Sequence, residues 1–232
     1  MKNTNVSRRQ LFRATIQAAG AGVMVAMTAR QGLAETVARA CGLTPRQTEG
    51  PFYPVKDQAD KDHDLTQVKG RLNSAKGQLL GIVGKVIDSS CRPVQGALVE
   101  IWQACASGRY NHPGDTSGNE LDPDFQYWGR AETDEAGNYS FKTILPGHYR
   151  ADVDWIRPPH IHYKISALGF HEMTTQLYFE GNPYNERDHV LKGVPPAERS
   201  KVVVPLVDGR GLGFEAGSKA CRFDIGIRSV RG

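Results

Sequence analysis

Two histidines separated by a single residue are the side chains in this sequence best suited to binding a metal ion. They lie in the segment Arg157-Pro-Pro-His-Ile-His162. Successive side chains of a β-strand point to opposite faces, so His160 and His162 would point the same way while Ile161 faces the other side. The pair could therefore reach one ion from a single strand.

Two tyrosines that follow glycine-containing turns could complete the ligand set. Tyr149 ends the segment Pro146-Gly-His-Tyr149, and Tyr110 ends Gly108-Arg-Tyr110. Two neutral imidazole nitrogens and two phenolate oxygens make a donor set whose oxygens are hard and anionic. Such donors favour a hard, highly charged ion, so ferric iron fits better than zinc or copper(I). Each residue alone has an ordinary structural explanation, and the prediction depends on their occurring together.

The elements that must position these residues are predicted to be short strands. The 232 residues include 25 glycines and 13 prolines with short apolar runs between them, which favours strands and turns over long helices. Residues 44–54 are too rich in proline for a helix and are predicted to form an extended arm across the domain, while residues 106–129 form a long loop. Strands are predicted at residues 79–87, 96–102, 130–133, 139–144, 149–153, 161–167, 174–179, 201–207 and 222–227. About nine such strands predict an all-β fold, an antiparallel β-sandwich with long loops and an N-terminal extended arm.

Charge and hydropathy argue against nucleic acid and membrane partners. The formal net charge of +4 originates in residues 1–40, which hold six Lys and Arg against one Glu, so the remainder of the chain carries a net charge of −1. A nearly neutral domain gives no electrostatic reason to bind nucleic acid or an anionic membrane. Because the sequence has no run of about 18 uncharged apolar residues, no membrane span is predicted.

The first 40 residues are predicted to be an export signal. The segment Ser7-Arg-Arg-Gln-Leu-Phe-Arg13 resembles the twin-arginine signal, and a mildly apolar stretch follows at residues 18–29. The signal could end after Ala34 or after Ala40, and the folded domain is predicted to span residues 41–232. This predicts export to the periplasm or the cell exterior. The alternative is a short amphipathic helix with a chance arginine pair.

The four cysteines leave the redox state open. In a chain that reaches an oxidising compartment, an even number of cysteines favours one or two disulfides, and four buried free thiols are the alternative. Four cysteines allow three complete pairings. The residues are Cys41, Cys91, Cys105 and Cys221.

Taken together, the motifs resemble the intradiol ring-cleavage dioxygenases, and within that family the subunits of protocatechuate 3,4-dioxygenase. The resemblance covers roughly residues 44–228. It is carried by Thr48-Glu-Gly-Pro-Phe-Tyr53, Val99-Glu-Ile-Trp-Gln-Ala104, Gly108-Arg-Tyr110, Pro146-Gly147 with Tyr149, Arg157-Pro-Pro-His-Ile-His162 and Thr174-Thr-Gln-Leu-Tyr-Phe179.

The resemblance implies an Fe(III) ion bound by Tyr110, Tyr149, His160 and His162. It also implies that a catechol-type aromatic substrate and O2 react there. The ring would open between the two hydroxyl-bearing carbons and give a muconate-type dicarboxylate. Tyr149 would be the ligand that the substrate displaces.

Five further residues receive roles from the same resemblance. Arg157 would lie over the reacting ring and Gln176 near the iron, and Phe52, Tyr53 and Trp102 would border the substrate. The residues themselves also permit a surface salt bridge for Arg157, a core position for Gln176 and core packing for Trp102.

The sequence also predicts partners and permits two other functions. The resemblance implies a homo-oligomer or a complex with a homologous subunit. Because residues 84–101 and 133–147 resemble transthyretin-like sandwich modules, the alternative is an exported binding module with zinc or no metal. A copper site built on the histidine pair would leave the tyrosines without a role.

Overall fold

Short strands form nearly all of the regular structure in the part of the chain that the structure describes. The structure is a computed structural model that describes residues 42–58 and 60–230, and the chain from Leu43 onward forms one compact unit. The predicted export signal and Cys41 lie outside the described residues. No helix in residues 42–58 and 60–230 is long and apolar enough to cross a membrane.

The strands are two to ten residues long and are joined by turns and loops. In chain order they are β1 (Leu79–Asp88), β2 (Leu98–Trp102), β3 (Trp128–Glu132), β4 (Asn138–Ile144), β5 (Tyr149–Asp152), β6 (Trp155–Arg157), β7 (His160–Ser166), β8 (Met173–Phe179), β9 (Val203–Val204), β10 (Val207–Asp208), β11 (Lys219–Arg222) and β12 (Ile225–Ile227). One short α-helix, α1 (His189–Lys192), and three 3-10 segments, Asn185–Arg187, Pro196–Lys201 and Gly209–Leu212, lie in the C-terminal third.

Two five-stranded sheets form the sandwich. One has the order β10-β11-β1-β12, with β4 also paired to β1, and the other has the order β3-β2-β7-β8-β9, while β5 and β6 form a separate two-stranded sheet. The predicted all-β sandwich is confirmed, but the sheets are mixed rather than wholly antiparallel. Strands β11 and β12 run parallel to β1, and β9 runs parallel to β8. A long stretch of chain separates each of these three strands from its parallel partner, and this permits the parallel direction that a tight hairpin forbids.

The strand predictions differ from the structure mainly in the short elements. Strand β6 falls outside every predicted strand, and most of the predicted strand at residues 201–207 is a 3-10 turn and loop around β9. The predicted strand at 222–227 is divided between β11 and β12. Elements of two or three residues carry too little periodic signal to be recognised in a sequence.

The hydrophobic core lies between the two large sheets. Strand β7 contributes Ile161, Tyr163 and Ile165, and β1 contributes Leu80 and Ile82, all fully buried. These residues alternate along their strands as period-2 geometry requires. Complete burial of one such aliphatic side chain stabilises the fold by about 1.5–3 kcal/mol.

The N-terminal arm has no regular structure over residues 42–50 and lies along strands β8 and β12. The Thr44 amide donates to the Gly226 carbonyl at 3.1 Å, and the Gly226 amide donates to the Thr44 hydroxyl at 2.9 Å. The Gln47 amide donates to the Thr174 carbonyl at 2.9 Å. The predicted extended arm is therefore attached to the sandwich by backbone hydrogen bonds.

The cysteines are in different states. Cys91 is disulfide-bonded, whereas Cys105 and Cys221 are free and buried. The alternative of four free thiols is therefore wrong, and a second disulfide involving Cys105 or Cys221 is absent from the described part of the chain.

Candidate active site

Three donor atoms from two parts of the chain form a small triangle. The Nε2 atoms of His160 and His162 are 3.2 Å apart, and the Tyr110 hydroxyl lies 3.3 Å from the first and 3.2 Å from the second. All three side chains are buried. Donor atoms that share one metal ion at about 2.1 Å lie about 3.0–3.4 Å apart, so this triangle has the dimensions of a coordination shell.

Strand pairing positions the two imidazoles. His160 and His162 lie on the face of β7 opposite to Ile161, and His162 is paired with Trp102 on β2 and with Gln176 on β8. The Trp102 ring stacks on the His162 ring with 4.8 Å between centroids and an interplanar angle of 10°. The neighbouring strands therefore fix the rings before any ligand binds.

A backbone carbonyl sets the tautomer of His160. Its Nδ1 lies 2.6 Å from the Pro158 carbonyl oxygen, so the Nδ1–H donates there and the lone pair remains on Nε2. Such a hydrogen bond is the usual orienting contact of a metal-binding histidine. The Nδ1 of His162 is buried and has no hydrogen-bond partner among the described residues.

Burial keeps all four candidate ligands uncharged in the absence of a cation. Burial and then the positive charge of Arg157 hold the pKa of both His160 and His162 well below the usual value. Burial, followed by the charge of Tyr149, raises the pKa of Tyr110 well above 10. Burial also raises the pKa of Tyr149, while Arg157 opposes this shift. Neutral imidazoles offer lone pairs, and a bound cation would reverse the effect of burial on the phenols.

Glycine permits the close packing of the two turns that carry the tyrosines. Gly108 has φ = +84°, and a Cβ there would lie 2.2 Å from the His148 carbonyl oxygen. The rings of Tyr110 and Tyr149 are perpendicular, with 5.5 Å between centroids, and the Tyr149 ring is 5.7 Å from the His160 ring. All four predicted ligands therefore belong to one cluster.

The chemistry of the donor atoms decides whether the site suits the metal that the sequence predicts. Between residues 42 and 230 the described side chains contain no group of three His, Cys, Asp or Glu that could hold a metal ion. The donors are instead imidazole nitrogens and phenol oxygens, which suit a trivalent hard ion better than zinc. The residues therefore fit Fe(III).

Arg157 does not form a surface salt bridge. It is 3% exposed, and its Nε donates to the Asp188 carboxylate at 2.8 Å. Its Nη2 donates to the Gln176 side-chain oxygen at 2.7 Å and to the Tyr178 hydroxyl at 3.2 Å. Asp188 and Tyr178 were not anticipated from the sequence, because no local pattern marks them as neighbours of Arg157.

Gln176 connects Arg157 to the arm. Its side-chain oxygen accepts from Arg157 and from the Tyr178 hydroxyl at 2.9 Å, and its nitrogen donates to the Thr48 carbonyl at 2.8 Å. The side chain is fully buried. Its polar atoms are thus engaged with protein groups beside His162.

The three predicted substrate contacts lie around the donor triangle. Phe52 stacks on Tyr110 with 4.6 Å between centroids, and Tyr53 packs edge-on against Trp102 at 5.0 Å. A cavity of about 420 Å³ adjoins them, and Phe52, Trp102, Tyr110 and nearby loop residues line it. Tyr53 is absent from the lining and is covered by the Lys164 ammonium group, 3.8 Å from its ring centroid.

Comparisons with known proteins identify dioxygenases as relatives of this chain. A family model described as Dioxygenase matches residues 48–227. The protocatechuate 3,4-dioxygenase beta chain of Burkholderia cepacia is 36% identical over 192 residues, which cover 79% of this chain and 78% of that protein. Catechol 1,2-dioxygenase 2 of Acinetobacter lwoffii is 32% identical over 206 residues, covering 80% and 70%.

Solved structures extend the likeness to the fold. Catechol 1,2-dioxygenase from Acinetobacter sp. ADP1, inhibited by bound mercury, superposes with a TM-score of 0.62 at 28% identity and covers 86% of this chain and 68% of that one. The dioxygenase domain of a carbohydrate-binding fusion protein from Streptomyces sp. SirexAA-E gives 0.60 at 28% identity, covering 82% and 100%. The chain therefore belongs to the intradiol ring-cleavage dioxygenase family and is an enzyme of that type.

Proposed function

We propose that Tyr110, Tyr149, His160 and His162 bind Fe(III) and that the enzyme uses O2 to cleave a catechol-type ring between its two hydroxyl-bearing carbons. The observation that carries this proposal is the donor triangle, with sides of 3.2–3.3 Å, formed by one phenol and two imidazoles. In the overall reaction the carbon–carbon bond between the hydroxyl-bearing carbons breaks. Each of these carbons gains one oxygen atom from O2, and the product is a muconate-type dicarboxylate.

The protein supplies donors whose protonation matches this metal. When bound, ferric iron supplies Lewis acidity and a template for the catecholate oxygens. His160 and His162 provide lone pairs because burial keeps them neutral. Tyr110 and Tyr149 lose their protons only beside a strong cation, since burial raises the pKa of both.

Tyr149 is the ligand that the substrate would displace. It lies opposite Arg157 in the β5–β6 pair, and the charge and hydrogen bond of Arg157 oppose the effect of burial on its pKa. Arg157 would therefore favour the negative charge that Tyr149 carries while it binds the metal. The hydroxyl oxygen of Tyr110 lies within the donor triangle and would stay bound.

A comparison of two single substitutions tests this assignment. Tyr149→Phe should retain iron and slow the binding of the substrate, because the displaced oxygen is missing. Tyr110→Phe should weaken iron binding itself, since it removes one vertex of the triangle. Iron content and stopped-flow substrate binding distinguish the two, and unchanged turnover in Tyr149→Phe would refute its role.

Arg157 would stabilise negative charge that develops on the ring. Its guanidinium is buried and adjoins Tyr149, and a fixed cation in a water-poor site acts more strongly than one in solvent. Gln176 holds Arg157 from the side of β8. Phe52 and Trp102 would limit the position of the aromatic ring.

The enzyme is proposed to act outside the cytoplasm, as a homo-oligomer or with a homologous subunit. The twin-arginine-like segment and the disulfide at Cys91 support export, because disulfides persist mainly in oxidising compartments. The relative named as a beta chain supports assembly with another subunit. Family membership argues against the alternative of a binding module without activity.

Oxygen uptake by the purified, iron-loaded protein is the direct test of the function. The substrates would be catechol, protocatechuate, hydroxyquinol and a chlorocatechol, with product spectra that separate cleavage between the hydroxyls from cleavage beside them. Iron-loaded protein should be coloured by tyrosinate charge transfer, while a zinc-loaded control should be colourless. A colourless iron-loaded protein, or one that consumes no O2 with any of these substrates, would contradict the proposal.

A further inference from the structure

The guanidinium of Arg157 is held along one edge by a carboxylate from a distant part of the chain. Asp188 accepts from Arg157 Nε at 2.8 Å through one oxygen and from Nη2 at 3.3 Å through the other. The Asp188 side chain has no exposed surface. Leaving either charge without its partner in such a site is strongly unfavourable.

Other donors fix the Asp188 carboxylate itself. The Trp155 indole donates to Oδ1 at 3.0 Å, and the Leu191 amide donates to Oδ2 at 3.0 Å, which caps helix α1. Trp155 and Arg157 both belong to strand β6. The carboxylate is thus held by a strand and by the start of a helix, and it has little freedom to turn.

This arrangement determines which way the guanidinium faces. A guanidinium is planar, so contacts at Nε and Nη2 fix the plane of the whole group. Nη2 is further engaged by Gln176 and Tyr178. Across the β5–β6 pair, Arg157 lies opposite Tyr149 and interacts with its side chain, so the guanidinium is held beside one of the proposed metal ligands.

We propose that Asp188 is a positioning residue for ring cleavage that acts only through Arg157. It fixes the plane of the guanidinium and balances its charge, so that the cation is already oriented toward the substrate before the reaction begins. The inference rests on the proposed role of Arg157 at the site. Segment 185–192 contains none of the proposed ligands, yet through Asp188 it would affect the chemical step.

A double-mutant cycle tests this dependence. Asp188→Asn keeps the shape of the side chain and its capacity to cap helix α1, because Asn and Asp are comparable N-caps. We expect kcat to fall about 10- to 100-fold, as for other residues that orient a catalytic group, with iron content and the tyrosinate band retained. Arg157→Met should reduce kcat at least as much. The kcat of the double variant should equal that of Arg157→Met alone. If the two reductions in kcat multiply instead, Asp188 acts independently of Arg157 and the proposal is wrong.

Two further variants separate positioning from folding. Trp155→Phe removes the indole donor to Asp188 but keeps an aromatic ring beside Arg157 and His189. It should lower kcat by a few-fold, and it should have no effect in the Arg157→Met background. Asp88→Asn is the matched control, because Asp88 is also a buried carboxylate paired with an arginine, Arg92, but lies at the β1–β2 turn. It should lower the unfolding temperature without changing kcat. If Asp188→Asn fails to fold, the Trp155→Phe cycle decides the proposal.

A binding measurement distinguishes failure of this proposal from failure of the proposed function. The probe is 4-nitrocatechol, titrated into iron-loaded protein and followed by its visible spectrum. If wild-type protein cleaves no ortho-diphenol, the proposed function is wrong, and the cycle is then read from the dissociation constant of 4-nitrocatechol. Weaker binding in Asp188→Asn that disappears in the Arg157→Met background supports positioning. Equal binding by wild type and Asp188→Asn, with equal kcat where turnover is measurable, rejects it.

Discussion

The two faces of strand β7 are equally buried and chemically opposite. On the inner face, Ile161, Tyr163 and Ile165 are 0% exposed and pack between the sheets. On the outer face, His160 and His162 are only 2% and 1% exposed, but their nitrogens face each other at 3.2 Å. Burial therefore does not distinguish core from site here. The difference is that the outer face directs buried polar nitrogens at one another, which is unfavourable without a proton or cation between them.

The largest expected effect comes from removing a donor on the outer face. His162→Ala should lower turnover at least about a thousandfold, since a bound metal ion supplies several kcal/mol of transition-state stabilisation. Iron content should fall in parallel while the far-UV circular dichroism stays that of a β-sandwich. Full turnover with normal iron content would show that the outer face is not a metal site.

A substitution on the inner face should lower the stability of the fold rather than its turnover. Ile161→Ala should lower the free energy of unfolding by about 2–5 kcal/mol, because it leaves a cavity in a fully packed core. The kcat of the protein that remains folded should change little. Urea unfolding and turnover at low temperature check this, and a large loss of kcat at full stability would remove the distinction between the faces.

A glycine of the arm gives a third, smaller test. Gly50 has φ = +73°, and a Cβ there would lie 3.2 Å from the His162 ring. Gly50→Ala should reduce turnover about tenfold by displacing that imidazole, an effect near the lower end for residues that orient metal ligands. Gly70→Ala is the control, since Gly70 has φ = +84° and nothing within 4 Å of a built Cβ. Both should lose about 1–2 kcal/mol of stability through backbone strain, so equal turnover in the two variants would contradict the contact with His162.

The smallest effect is expected at the end of the outer face, where β7 holds the arm. Lys164 lies two residues beyond His162, pairs with Glu49 at 2.5 Å and covers the Tyr53 ring. Because Glu49 is partly exposed, Lys164→Met should cost no more than about 1 kcal/mol of stability. The KM for the substrate should rise a few-fold as the arm loosens, with kcat unchanged. Steady-state kinetics at low and high salt would check this, and wild-type KM at both would show that the arm does not depend on Lys164.

Local patterns in the sequence predict the donor residues of the outer face better than they predict the residues that hold this site in place. The period-2 alternation around Ile161 and the turns before Tyr110 and Tyr149 are features of neighbouring residues, so the donor cluster can be anticipated. The pairing of Arg157 with Asp188 spans 31 positions and depends on where segment 185–192 packs, which no spacing rule fixes.

The parallel strand pairs in the two sheets cannot be predicted from the sequence for a similar reason. Strands β11 and β12 pair with β1 from more than 130 positions away, and such pairing is decided by how the long C-terminal connections pack. The proline-rich composition of the arm predicted its extended backbone. It did not predict that the Thr48 carbonyl would accept from Gln176, because that contact depends on the position of β8.

The arm makes the sandwich and the site separable by proteolysis. A protease that trims the chain up to Ala40 keeps all four cysteines and leaves every described arm contact in place, beginning with the hydrogen bonds between Thr44 and Gly226. A chain shortened to start at Val55 keeps all twelve strands but loses the stacking of Phe52 on Tyr110 and the acceptor for Gln176. Limited digestion within the arm should therefore produce a folded, inactive fragment. A recombinant enzyme should begin before Cys41, because Cys91 is disulfide-bonded and both Cys105 and Cys221 are free.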